Sequence, residues 1–256
     1  MTIAADPGSQ DGRLLLDADR RELARFKQAE RDGRPVADRF TLSVEPEEAL
    51  ATVLADLAGW RISAAEPFGR LLVEQGGRPQ RHGHVLSRDL VRDPAPPDWL
   101  EPLAPGGLRL TPVDRPALDL APACFAAYPR GHPDYGHIPS PDRPEIELDE
   151  IISGRLMGPL LDCSGLAVRD DGSVAGAILV NATKGDPPIG GPWISQLFRH
   201  PDAPGAGGPL LRRALAVATR EGLPAVGLAV TEGNTARALY EAHGFAAVLS
   251  SLTVEL

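Results

Sequence analysis

Phe198-Arg-His-Pro-Asp202-Ala-Pro-Gly205-Ala206-Gly207-Gly208-Pro209-Leu210-Leu211 is the stretch that decides the fold. A strand-like run, Trp193–Phe198, ends and glycines follow. A helix then begins over Leu210–Glu221, with Pro209 near its first position. Leu210, Leu211, Ala214, Leu215 and Ala218 make one apolar stripe on that helix. The first amides of a helix have no intrahelical acceptor and carry partial positive charge. Glycines remove the Cβ barrier, so Gly205, Ala206, Gly207 and Gly208 read as a backbone cradle for a phosphate group. A plain strand-to-helix connection would use the same residues. Two other phosphate loops are excluded, because no Gly-Lys-Ser/Thr occurs here and no Gly-x-Gly-x-x-Gly follows the first strand of this half.

Downstream, Ala225–Val230 is an apolar strand. Asn234 is an N-cap, Asn234–His243 a helix, Gly244 the residue that ends it, and Ala246–Glu255 a closing alternating strand. Upstream, Leu108–Pro112 reads as strand and Asp114–Tyr128 as a helix capped by Asp114. A Pro/Gly/His-rich loop, Tyr128–Arg143, follows, and then a helix over Glu145–Leu156. Gly165–Val168 and Val174–Asn181 form a hairpin around Asp170-Asp171-Gly172. The order β-α-α-β-β-β-α-β-α-β predicts an α/β layered domain over 108–256, a central mixed sheet flanked by helices.

The first third predicts a smaller helix-and-strand unit over 13–93, after a disordered tail at 1–12. Leu14–Arg31 reads as helix, Arg39–Val44 as strand and Pro46–Gly59 as helix. Trp60–Ala64 and Arg70–Glu74 read as short strands, with another around His84–Leu90. His82 and His84 fall on one face of that last strand. Seven Pro and Gly residues between Asp93 and Gly107 mark 94–107 as a linker.

Composition narrows the function. The 256 residues are 43% hydrophobic and 24% charged, an ordinary globular mix. A net charge of −9 argues against nucleic acid as a partner. Two cysteines, Cys124 and Cys163, are too few for a disulfide framework and lack the paired spacing of a zinc site. The first residues lack the basic and apolar regions of a signal peptide. The longest uncharged stretch, Pro187–Phe198, is too short and too broken to span a bilayer. A cytoplasmic protein with neither membrane nor metal is expected.

With Gly205-Ala206-Gly207 before Leu210-Leu211, and Asn234-x-x-Ala-x-x-x-Tyr240-x-x-x-Gly244-Phe245 after, residues 108–256 resemble a GNAT superfamily N-acetyltransferase. The run Glu47–Leu90 faintly resembles the tail of the same fold, which implies a degenerate GNAT-like half that does not bind coenzyme A; an independent small cap reads the same residues equally well. The resemblance implies acetyl-CoA as co-substrate, lying between the strands Trp193–Phe198 and Ala225–Val230. Its pyrophosphate would sit on Gly205–Gly208 and its pantetheine along Leu197, Phe198 and Arg199, with Asn234 helping to position it. Tyr240 would be the catalytic residue, protonating the departing thiolate. Two positions depart from the family pattern. Asp202 stands where an Arg or Gln is usual, which implies a weaker cradle or one supplemented by Arg199, Arg212 or Arg213. Gln196 stands on the strand that often carries a Glu, and an amide cannot be a base.

Transfer to an amine needs a proton removed from an ammonium of pKa about 10. The loop after the first helix of this half holds His132, Tyr135 and His137 as candidates for acceptor recognition or proton removal; a solvated loop is the alternative. Acid outnumbers base from Asp134 to Glu150, which favours a cationic acceptor. Glu232 is another candidate base. The reading is an N-acetyltransferase acting on a small-molecule or peptide amine, with a homodimer possible. A non-catalytic acyl-CoA-binding or sensing module is the alternative.

Overall fold

The computed structural model describes residues 3–9, 11–31, 33–135 and 143–256. The chain divides into two compact units, Met1–His84 with Leu249–Leu256, and Val85–Val248. The boundary therefore lies ahead of the Pro/Gly segment 94–107, and the last residues belong with the first.

In the first unit β1 (Ile3–Ala5), β2 (Gly12–Leu16), β3 (Glu22–Arg31) and β4 (Arg34–Leu42) form antiparallel neighbours. Helix α1 (Pro46–Asp56) crosses over to β5 (Arg61–Ala65), which lies parallel to β4. Helix α2 (Glu66–Glu74) follows, then β6 (Arg78–Asp89). The chain's final strand, β12 (Ala246–Glu255), pairs antiparallel with β5 from Ser251 to Glu255. Leu15, Phe26, Phe40, Val53, Leu57, Ile62, Phe68 and Leu72 close the core with Leu252 and Val254. Glu255 is buried and ion-paired with Arg34, Arg61 and Arg78. His82 and His84 share a face of β6 as expected, their ring centroids 4.3 Å apart.

Three expectations for this unit are corrected. Leu14–Arg31 is a hairpin, not a helix. Asp17 Oδ1 accepts the amides of Asp19 (3.0 Å) and Arg21 (2.8 Å), and Arg20 takes φ +65°, so a carboxylate-closed turn replaces the helical ladder. Residues Ile3–Ala5 of the expected disordered tail are held as a strand against Arg13–Leu15. Arg70–Glu74 belongs to helix α2: Pro67 favours a first turn, and Phe68 and Leu72 recur on the buried face. Gly69 lets that helix approach β12, since a Cβ there would lie 2.5 Å from Leu252 Cβ.

The second unit starts with the end of β6 beside β11 (Ala225–Thr231). Segment 94–107 is no free linker. It forms 3₁₀ turns at Pro97–Leu100 and Pro105–Gly107, and Ala95, Trp99 and Leu100 pack into the core around helix α5 (Gly207–Arg220). Arg88 fastens it: this buried guanidinium donates to the carbonyls of Asp93 (3.1 Å) and His243 (2.8 Å), pairs with the Asp93 carboxylate and lies 5.4 Å from the Trp99 ring centroid. Proline density indicated missing backbone donors correctly, but side-chain burial compensates for them.

Then come β7 (Arg109–Thr111), α3 (Ala117–Ala127), α4 (Pro144–Ile152), β8 (Gly165–Val168), β9 (Val174–Thr183), β10 (Gly191–Arg199), α5, β11, α6 (Ala236–Ala242) and β12. This is the expected mixed sheet flanked by helices, ordered β11-β10-β9-β8-β7 within this unit. Helix α3 starts later than expected, with Pro116 rather than Asp114 at its N-cap. The stripe Leu210, Leu211, Ala214, Leu215 and Ala218 on α5 is buried.

Asn181 holds the helical layer to the sheet. Fully buried on β9, it donates to the carbonyls of Ile151 at the end of α4 (2.9 Å) and Gly158 (2.8 Å), and accepts from Ser195 Oγ on β10 (2.8 Å). Replacing it by Ala would leave the Gly158 carbonyl without that donor, the Ser195 hydroxyl without its acceptor and the Ile151 carbonyl with the Gly154 amide. We expect Asn181→Ala to lose about 1–3 kcal/mol of stability in urea unfolding, chiefly from those lost bonds.

Candidate functional site

Strands β10 and β11 run parallel but register at a single pair, Trp193 opposite Gly227. The Trp193 ring needs that glycine, because a Cβ there would sit 2.8 Å from its Cε3 and Cζ3 atoms. Beyond this pair a cleft of about 500 Å³ opens, lined by Ile194–Arg199 of β10 and Leu228–Val230 of β11. On its other side β10 is fully paired with β9, with an irregularity between Ile194 and Gln196. Tyr128, His132, Asp134, Glu147, Asn234 and Tyr240 supply further polar groups on the lining.

The N-cap of α6 is Thr235, one residue later than expected. Asn234 Oδ1 accepts the Ala236 amide at 2.8 Å, which ties it to the start of that helix. Its Nδ2 donates to Asp134 Oδ2 at 2.7 Å, while Thr231 Oγ1 donates to Asp134 Oδ1. The polar loop is thereby tied to the start of α6. At the other end of α6, Gly244 takes φ +81°, and the amides of Gly244 and Phe245 return to the carbonyls of Glu241 and Tyr240, a helix-ending motif.

Tyr240 is buried, edge-on to Phe245 with centroids 5.8 Å apart. Burial, and secondarily the Asp134 charge, raise its phenol well above its ordinary value. Burial raises Tyr128 likewise. Tyr128 donates to Gln196 Oε1 (3.1 Å), and Gln196 Nε2 donates to Glu147 Oε1 (3.3 Å). Glu147 Oε2 is buried without a hydrogen-bond partner among the described residues. Burial raises the Glu147 carboxyl, against a lowering by Gln196.

The glycine segment divides by role. Gly205 takes φ +85°, which favours glycine for its backbone. Gly207 and Gly208 open α5, and Cβ atoms there would meet only Leu239 (3.5 Å) and Arg212 Nη1 (3.4 Å). Nothing in the protein requires glycine at those two positions, and none of Gly205–Gly208 is on the cleft lining. Arg212 is the cation beside them. Arg213 Nη1 lies by Gly165, and Arg199 donates to the carbonyls of His200 and Pro201. Asp202 is exposed and faces His200 (3.6 Å).

Among the remaining candidates, His132 lines the cleft, with its ring 5.0 Å from that of Tyr128. Tyr135 and Glu232 do not line it, and Glu232 is ion-paired with Arg237 (3.2 Å). His137 lies outside the described residues. Glu147 was missed by sequence reasoning, because it belongs to no motif; its signal was only the acidic run Asp134–Glu150.

No protein-family model matches the chain, and no curated protein matches it by sequence. Solved structures do match in fold. A GCN5-related N-acetyltransferase from Sphaerobacter thermophilus superposes with a TM-score of 0.64 at 19% identity, over 97% of this chain and 81% of that one. A tandem GNAT protein from the clavulanic acid biosynthesis pathway gives 0.55 at 17%, over 100% and 83%. A glucosamine N-acetyltransferase region of a fungal multi-domain β-N-acetylglucosaminidase gives 0.56 at 12%, over 95% of this chain and 32% of that one. The fold is the GNAT fold, in two units. Among the described residues no helix is long and apolar enough to cross a membrane.

The single contact pair that opens the cleft is open to test. Gly227→Ala should force Trp193 aside and lower stability by about 1–3 kcal/mol in chemical denaturation; an unchanged midpoint would show that the ring moves freely.

Proposed function

We propose that the cleft binds acetyl-CoA and that the protein transfers its acetyl group to an amine. The observation that carries this reading is the unpaired side of β10 in the cleft, close in sequence to a helix start with free amides. An extended pantetheine arm can hydrogen-bond to the backbone of Leu197–Arg199, which β11 does not cover. The pyrophosphate fits the first turn of α5, where Gly207 and Gly208 admit it and Arg212 adds a cation. Asn234 keeps the start of α6 and the Asp134 loop in place.

Acetyl-CoA supplies the thioester; the protein supplies position and protons. Tyr240 stays protonated across the physiological range, as the acid that meets a leaving thiolate must. The acidic lining, Asp134 and Glu147, suits a cationic acceptor, whether a small molecule or a peptide amine. Two buried free cysteines, their thiols pushed up to about 12 by burial, fit a reducing cytoplasm.

Titration calorimetry with acetyl-CoA and with CoA tests the reading. Micromolar binding is expected, and a folded protein that binds neither would overturn it. Tyr240→Phe should keep CoA affinity and lose about 10²–10⁴ in turnover. The wild-type rate should not fall through the ordinary phenol range near pH 10, because the raised Tyr240 keeps its proton there. Binding without turnover on any amine would instead support the sensing module.

A further inference from the structure

We propose that Glu147 is the general base of this transfer, its Oε2 taking the proton of the ammonium acceptor while Gln196 and Tyr128 fix the carboxylate in place. The inference rests on the acyltransferase reading of the cleft and names the group which that reading lacks.

Elimination leads to it. Two carboxylates line the cleft among the described residues, Asp134 and Glu147. Asp134 has both oxygens engaged, one by Thr231 and one by Asn234. His132 lines the cleft too, but its Nδ1 accepts the Asp134 amide at 3.1 Å. The neutral ring then carries its proton on Nε2, and no lone pair is left to receive another. Of the other acids of α4, Glu145 pairs with Arg143 (2.9 Å) and Asp149 with Arg155 (2.6 Å), and Glu150 is not on the cleft lining.

Glu147 is arranged differently. The Tyr128 hydroxyl donates to Gln196 Oε1, so Gln196 must turn its Nε2 hydrogens towards Glu147. Oε1 is thereby the held oxygen, and Oε2 is buried with no hydrogen-bond partner among the described residues. Gln196 cannot accept a proton from an ammonium as a carboxylate can, but it orients one that does. Gln196 and Tyr128 are positioning residues. The groups facing Glu147 are Gln196 on β10, Cys124 and Tyr128 from α3 and its end, and Glu150 on its own helix. None is a cation, and burial raises the carboxyl towards the operating range of a base.

The step balances. One ammonium proton passes to Glu147 Oε2, and the freed nitrogen pair attacks the thioester carbonyl. The C–N bond forms and the C–S bond breaks as Tyr240 gives its proton to sulfur. A second nitrogen proton restores Tyr240, and Glu147 releases its own to solvent. The products are an amide, a CoA thiol and one proton.

Glu147→Gln is the test, with acetyl-CoA as donor and three probe acceptors: lysine and spermidine, which are charged at neutral pH, and hydroxylamine, which is largely neutral. The variant should bind CoA as the wild type does and melt no lower. A carboxyl raised by burial contributes its stability in the protonated form and loses it as pH rises, so a neutral isostere has no penalty at pH 7. Turnover of lysine and spermidine should fall about 10²–10⁴, with the acidic limb of kcat/KM abolished, while hydroxylamine is little affected. Unchanged turnover and pH profile, or equal loss on all three acceptors, would overturn the base assignment and leave the transfer reading standing. A raised KM with unchanged kcat would overturn it in favour of simple charge attraction. A wild type that binds acetyl-CoA but acetylates none of the probes would overturn both this assignment and transfer to an amine. Failure to bind acetyl-CoA would overturn the cofactor reading itself.

Discussion

Everything in the second unit follows from one close contact, the Trp193 ring over Gly227. It lets two parallel strands meet once and then leaves them unpaired beyond that point. Parallel strands joined by a crossover helix have their following helices start at the same end. Here α5 begins after β10 and α6 after β11, so two helix starts and an unpaired strand side share the carboxyl end of one pair. Ligands of open α/β sheets bind at such ends, because free amides converge there. The tetrad Asp134–Asn234–Thr231–Ala236 gathers the polar loop to the same place, and Asn181 secures the helix that carries Glu147.

The first unit repeats part of this plan without its chemistry. Strands β4 and β5 are parallel around α1, as β10 and β11 are around α5. Both β4 and β10 are irregular, β4 around Arg39 at φ +53° and β10 between Ile194 and Gln196. The approach to α1 differs, however. Ser43-Val44-Glu45-Pro46-Glu47-Glu48 has no glycine, and three carboxylates stand where an anion would have to sit. Acidic residues suit a helix start, and they exclude a pyrophosphate from it. The repeat retains the crossover and the core, which is what folding requires, and lacks the cradle.

The sequence was most legible where backbone chemistry is local. The glycine-to-helix junction at Gly205–Gly208, the start of α6 beside Asn234 and the Gly244 ending each follow from the conformations a few adjacent residues can adopt. The apolar stripe of α5 follows from helical period. Leu14–Arg31 misled because its Leu, Ala, Arg and Glu are good helix formers, and the deciding interaction is one carboxylate, Asp17, closing a turn. The segment 94–107 misled for a related reason: proline density describes backbone donors, whereas its fixation depends on the distant Arg88. Glu147 was illegible because its role arises from three elements meeting, α3 through Tyr128, β10 through Gln196 and α4 itself. No spacing along the chain encodes that meeting.

A net charge of −9 and a polyanionic ligand are compatible because the two act over different distances. Exposed charges more than about 10 Å away are screened at ordinary salt, whereas first-turn amides and Arg212 would act at hydrogen-bond range. The acids that matter locally are arranged by the fold. Asp202 is exposed to solvent, its carboxylate 3.6 Å from His200. Asp134 has each oxygen held by a neutral donor, Thr231 and Asn234. Glu147 keeps a buried oxygen without a hydrogen-bond partner among the described residues, on the lining contributed by α4 rather than at the glycine segment. On the proposed reading an anion would sit at the start of α5 and a cation beside the Glu147 carboxylate, and the cleft lining separates the two, since it includes Glu147 and none of the Gly205–Gly208 segment.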